Sequence, residues 1–338
     1  MWASTSEGAS INNSFMNKMN IKSIYKVRLM SLLLIAFLSI TASLSAMAAE
    51  PLHGVERPAP KKVNADANVF ISPEDKDKIA RLLQEGQRLR DLYSSEEYIS
   101  MFMARQFLGT PYVSHTLDRT DSEQMVVNLH ELDCTTFVEN VAALTLCALR
   151  GKTKVADYVG MLRRLRYRGG VMSYENRLHY YQWWVTDNQA MGLVRQIDEP
   201  VQIFRGRQKL RINYMSTHAQ SYAMLRNHPE RVRALKTLED QTNGTEVRYI
   251  PTVLVADKVL MQQVVHNGDI IAIVTAKSNL DTSHLGIASW HQDGLHLINA
   301  SSMRRNGNQV VEPSESLYDY LRGQPSALGI RVARIVNK

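Results

Sequence analysis

Only two cysteines, Cys134 and Cys147, occur in 338 residues. That excludes a disulfide-stapled scaffold and a cysteine-rich zinc site. No internal repeat or low-complexity segment is present, which excludes a repeat architecture. No basic block with interleaved aromatics occurs, so nucleic acid is not an expected partner. The one long apolar run, Leu29 to Leu44, is short for a membrane span.

That run has the setting of an export signal. Lys18, Lys22, Lys26 and Arg28 precede it, and Ala46-Met47-Ala48 follows with the small-x-small form of a signal-peptidase site. Residues 1–48 are therefore expected to be a signal peptide cut before Ala49, with Met16, Met19 or Met30 as alternative starts. No cysteine stands at the cut, which argues against a lipoprotein. The mature chain is expected to be periplasmic or secreted, in a bacterium, with no permanent membrane anchor. It would carry 36 Lys and Arg against 32 Asp and Glu, a mildly basic balance suited to an acidic substrate or an anionic envelope.

Residues 49–70 contain Pro and Lys without periodicity and read as a linker. Residues 71–338 read as one domain. Ser72-Pro73 opens a helical stretch over 75–107, and Gly109-Thr110-Pro111-Tyr112 breaks it. Helices over 134–149 and 155–167 follow. Residues 168–235 form an aromatic-rich, partly helical insert. The last third reads as strands: Val247–Ala256, Ile270–Thr275, His284–Trp290 and Leu295–Ala300. Helices first and antiparallel strands last predict an α+β fold.

Cys134 is the chemical focus. Asp133 is placed to cap an apolar helix, which puts Cys134 in its first turn, where the macrodipole favours a thiolate. Cys147 lies thirteen residues further along the same helix, about 220° around the axis at ~100° per residue, so the two face apart and cannot bridge. An unpaired cysteine at a helix start in an exported chain points to nucleophilic catalysis. Its base would be a histidine with a polar group orienting the far ring nitrogen. Ten histidines are available, and His284 stands out because it begins a strand beside a loop. Asn299 is the candidate orienter. A turn centred on Asp293-Gly294 sets Asn299 opposite Ala288, and one centred on His291-Gln292 sets it opposite His284. Either way the two share a face, because strand side chains alternate.

Five segments in order resemble the NlpC/P60 papain-like cell-wall hydrolases: Gly109-Thr110-Pro111-Tyr112, Asp133-Cys134, Gly268-Asp269, His284-Leu285-Gly286-Ile287 and Asn299-Ala300-Ser301. The stretches LDCTTFVEN, NRLHYYQWW, INYMSTH and SHLGIA are similar, more narrowly, to the branch known as domain of unknown function 1460, described as N-acetylmuramoyl-L-alanine amidase-like. The resemblance spans about residues 95–335. It implies N-terminal helices packed on a C-terminal antiparallel sheet, with 168–235 enlarging the minimal domain. It also implies a hydrolase in which Cys134 attacks an amide carbonyl through a thioester, His284 shuttles the proton, Asn299 holds the imidazole and Tyr112 sits near the oxyanion. Many relatives carry histidine where Asn299 stands, and the usual Trp-Gly-Gly after the tyrosine is replaced by Val113-Ser114-His115.

The expected partner is a peptidoglycan fragment, a soluble muropeptide, cut between N-acetylmuramic acid and L-alanine. Arg177, His179, Tyr180, Trp183, Ser216, Thr217 and His218 in the insert are the candidate substrate contacts. No cofactor and no metal site is expected. Two alternatives remain: an endopeptidase cutting within the stem peptide, or a non-hydrolytic acyltransferase or binding protein on the same fold.

Overall fold

The computed structural model describes residues 68–93 and 95–337. The expected signal peptide and most of the expected linker lie outside them. The described residues belong to one compact unit. Val69–Ile71, at the end of the expected linker, forms a short strand, β1, parallel to β2, Met125–Val127. No helix among the described residues is long and apolar enough to cross a membrane.

The expected 75–107 stretch is two helices, α1 (Pro73–Tyr93) and α2 (Glu96–Arg105). Ser72 accepts from Asp75 N at the first start, and Ser95 accepts from Tyr98 N at the second. A serine in extended conformation is a strong N-cap, and here Ser95 starts the second helix. Helix α3 (Cys134–Leu149) has the expected bounds. It is apolar on nearly every side and buried from Thr136 to Leu149, as a central helix must be. It packs against α1, α2 and α4 (Val155–Arg166); α5 (Tyr181–Ala190) packs on α4, and α6 (Pro229–Thr242) follows later in the chain.

The sheet is antiparallel. Its strands are β3 (Val194–Ile197), β4 (Gly206–Lys209), β5 (Glu246–Pro251), β6 (Ile270–Thr275), β7 (Thr282–Trp290), β8 (Leu295–Ala300), β9 (Val310–Val311) and β10 (Ala327–Ile335). The order is β4-β5-β10-β6-β7-β8-β9, with β3 also on β10. Both faces are covered, and the side chains alternate accordingly. Ile270, Ala272, Leu285, Ile287 and Ile298 join the core that contains α1 to α5. Ile271, Ile273, Ala288, Leu297 and Val332 join a second core closed by Leu317 and Leu321 of α7 (Leu317–Arg322). Two buried faces explain why β6 reads as an apolar run from Ile270 to Val274 rather than an alternating one.

Two strand expectations change. The strand expected over Val247–Ala256 stops at Pro251, which has no N–H to continue the ladder, and a helical turn over Thr252–Val255 follows. The insert holds β3 and β4, whose sequences VRQI and GRQK are polar and short and give no period-two signal.

Buried charge ties the layers together. Glu139 of α3 accepts from Arg166 Nε at 2.7 Å, and Arg166 Nη1 donates to Val126 O at 2.6 Å, linking α3, α4 and β2. Asp269, beside Gly268 at the head of β6, accepts two bonds at 2.8 Å from Arg334 of β10.

Candidate active site

Cys134 is the first residue of α3, and Asp133 caps the helix as expected. Asp133 Oδ1 accepts from Thr136 N at 2.8 Å, and Thr136 Oγ1 accepts from Asp133 N at 2.9 Å. This capping box fixes the entry angle of the chain and so the position of the thiol. The thiol is partly open to solvent but otherwise surrounded by protein. The Leu285 backbone, the Thr135 hydroxyl and the Cys134 backbone favour its charged form. The expected low pKa is corrected. Burial, and then the Asp133 carboxylate, push the thiol up to about 11, outweighing the helix start and the Leu285 amide.

His284 follows a β-bulge. In the β6–β7 ladder Ile273 pairs with His284 but Val274 pairs with Thr282, leaving Ser283 over. A bulge re-aims the side chain beside it. The β7–β8 register is neither of the two considered from sequence. Ile287 pairs with Ile298 and Trp290 with Leu295, so the loop is His291-Gln292-Asp293-Gly294. Carried two residues further toward His284, this register puts Asn299 opposite Gly286 and one diagonal step from His284, within reach of a ring. The parity argument holds, since His284 Nε2 and Asn299 Oδ1 lie 2.9 Å apart.

The direction of that bond is determined. Asn299 Nδ2 donates to Leu297 O at 2.9 Å, so Oδ1 faces the ring and can only accept. His284 therefore carries its proton on Nε2 and keeps a lone pair on Nδ1, the form a general base needs. Burial lowers the His284 pKa, while Asn299 and the Asp133 charge act the other way. Thiol and imidazole are thus both biased toward neutrality at rest. No hydrogen bond joins Sγ to the ring in this resting arrangement; the two line one cavity of about 130 Å³.

Leu178, His179, Tyr180, Tyr181, Trp184 and Asp281 share that cavity. Tyr112 is held beside α3 by Leu132 N donating to Pro111 O at 3.0 Å and Val113 N to Leu132 O at 3.0 Å. Burial and the neighbouring Cys134 and Asp133 hold its phenol protonated, up to about 12. Tyr320 on α7 was not singled out in the sequence. Its ring lies 6.3 Å from that of His284, and the Cys134 charge raises its pKa after burial does. Ser316-x-x-Asp319 signals the α7 cap, yet nothing local in the sequence indicates that α7 docks here.

The insert candidates divide. His179 and Tyr180 line the cavity. Burial and the Arg177 charge push His179 down to about 3, and its Nε2–H donates to Tyr174 O at 2.9 Å. The others turn away. Arg177 is clamped by Asp118 at 2.7 Å and Glu123 at 2.6 Å, so it has no free charge for an acidic peptide. Trp183 is 5% exposed, with its indole N–H on Thr242 Oγ1 at 2.7 Å between α5 and α6; it packs rather than forming a sugar platform. Ser216, Thr217 and His218 form a local turn, where Thr217 Oγ1 donates to Asn213 O and the His218 ring stacks on Tyr214. Tyr180 OH and Ser216 N both donate to the buried Glu239.

A cysteine on a central helix beside a His–Asn pair on adjacent antiparallel strands is the α+β arrangement expected of the papain-like class. Within that class the chain belongs to the AmiA-like family, N-acetylmuramoyl-L-alanine amidase-like, whose family model matches residues 102–330. It is similar to an N-acetylmuramoyl-L-alanine amidase from Bacteroides uniformis, with 34% identity, TM-score 0.65, and coverage of 72% of this chain and 99% of that one. A Bacteroides fragilis protein named as a candidate xylanase is 36% identical over 70% of this chain and 100% of its own, with TM-score 0.64. A Legionella pneumophila protein of domain of unknown function 1460 shares the fold at 22% identity and TM-score 0.57, over 78% of this chain and 95% of its own. No curated protein matches.

Proposed function

We propose that the protein is an exported cysteine amidase that cleaves the bond between the lactyl group of N-acetylmuramic acid and L-alanine in soluble muropeptides. The observation that carries this reading is His284, oriented by Asn299, sharing a cavity with Cys134, in a chain of the amidase-like family. Sγ attacks the lactyl carbonyl as His284 Nδ1 takes the thiol proton. The oxyanion is met by the Cys134 N–H and by the protonated Tyr112 phenol. Collapse expels the L-alanine amine, which takes its proton from His284. The muramoyl thioester remains on Cys134. Water then attacks it with His284 again as base, releasing the sugar acid and the free thiol.

His179, Tyr180, Tyr181, Trp184 and Asp281 contribute to the wall of the cavity in which this reaction would run. A glycosidase needs two carboxyl groups about the scissile bond. Asp281 is the only carboxylate in the cavity wall, which weighs against a sugar-cleaving reading. Digestion of a defined muropeptide, with products weighed by mass spectrometry, tests the proposal. Free stem peptide and intact sugar acid are expected. Sugar still attached to L-alanine with a shorter stem would mean an endopeptidase, and unchanged substrate would mean a non-hydrolytic protein.

A further inference from the structure

We propose that the tip of the β7–β8 hairpin, His291-x-Asp293-x-x-His296, binds one divalent transition-metal cation of the zinc class. One ring nitrogen from each histidine and a carboxylate oxygen of Asp293 all lie within 4.8 Å of one another. Two imidazoles and a carboxylate are a donor set of the kind zinc takes, and nickel and copper also favour imidazole.

The surroundings fix both rings for that role. His296 is 1% exposed, and its Nδ1–H donates to Pro313 O at 3.0 Å. A carbonyl only accepts, so Nε2 is the ring atom left to meet Asp293 Oδ1, 3.0 Å away; the two share a hydrogen bond when Nε2 carries a proton and can share a metal ion when it does not. His291 stacks on His296 with ring centroids 4.0 Å apart, and its Nε2–H donates to Glu312 Oε1 at 2.9 Å, leaving the Nδ1 lone pair free. A carboxylate or carbonyl behind each ligating imidazole is the outer shell that orients metal-binding histidines. Arg105 Nη2 lies 2.9 Å from Glu312 Oε1, and Ser289 Oγ donates to the same oxygen at 2.6 Å.

The site is separate from the reaction. His296 is three residues along β8 from Asn299, about 10 Å at a strand's rise. A metal there would staple the loop end of the hairpin whose other end carries the His284–Asn299 pair. The inference does not depend on which bond the enzyme cuts.

The test uses untagged mature protein carrying Cys134→Ala, so that Cys134 and His284 cannot themselves capture metal. After chelation and dialysis, zinc chloride is titrated by calorimetry, and cobalt(II) is followed by visible absorption. One ion is expected to bind, with a tetrahedral cobalt spectrum and a rise of several degrees in Tm at saturating zinc. Asp293→Asn and His291→Ala change exposed or half-exposed side chains and are expected to fold normally by circular dichroism. Each should weaken zinc binding by about 10- to 100-fold or more, since even outer-shell losses cost that much. No saturable binding in the Cys134→Ala protein would overturn the proposal. So would affinity unchanged by both hairpin substitutions.

Discussion

At the residue scale, the central feature is a neutral resting pair. The Cys134 thiol is pushed up to about 11, and burial holds the His284 imidazole below its ordinary value. The active free form needs Nδ1 unprotonated and the thiol protonated. kcat/KM should therefore rise as pH climbs through the lowered His284 pKa, then stay flat through neutral and mildly alkaline pH. A preformed thiolate–imidazolium pair would instead lose activity on the alkaline side as the imidazolium deprotonates. Thiolate absorbance near 240 nm gives the same answer without substrate: little signal at pH 7, rising only toward strongly alkaline pH. Asn299→Ala removes a hydrogen bond to a ring that becomes charged. Such bonds are worth about 1.5–3 kcal/mol, so kcat should fall roughly 10- to 150-fold. Asn299→Asp should shift the acidic limb to higher pH, because a carboxylate stabilises the imidazolium. Cys147→Ala should leave kcat unchanged, since that side chain is wholly inside the core.

At the element scale, the helix start at Cys134, the strand bearing His284 and the shared face with Asn299 were all legible. They follow from capping, a 3.6-residue rhythm and strict alternation, which are local rules. The hairpin register was not legible, because a four-residue loop replaced the two-residue Asp-Gly turn that local chemistry favours. The roles of the insert residues were hidden for a different reason. Arg177 and Trp183 look like ligands in sequence, but partners 54 to 59 positions away absorb them. Trp183→Ala should accordingly cost about 3–5 kcal/mol of stability by denaturant unfolding, with no selective loss on sugar-bearing substrates. Gly286 gives a sharper test of the hairpin. A Cβ there would lie 2.6 Å from Ile298 O and 2.7 Å from the Leu297 side chain, so β7 and β8 must part. Gly286→Ala should cost about 1–3 kcal/mol, and its kcat should drop further than the loss of folded protein explains.

At the scale of the whole molecule, the helical layer presents a nucleophile and the sheet presents its base and orienter, with the cavity between them. The basic balance of the chain, a formal net charge of +7, suits an anionic, carboxylate-bearing substrate without selecting one. The most direct measurement is the intact mass of the enzyme, acid-quenched during turnover of a defined muropeptide and then mapped by peptide digestion. A muramoyl adduct on the peptide containing Cys134, absent in Cys134→Ala, is the predicted result. An adduct that also carries L-alanine and D-glutamate, or one on any other residue, would contradict the account.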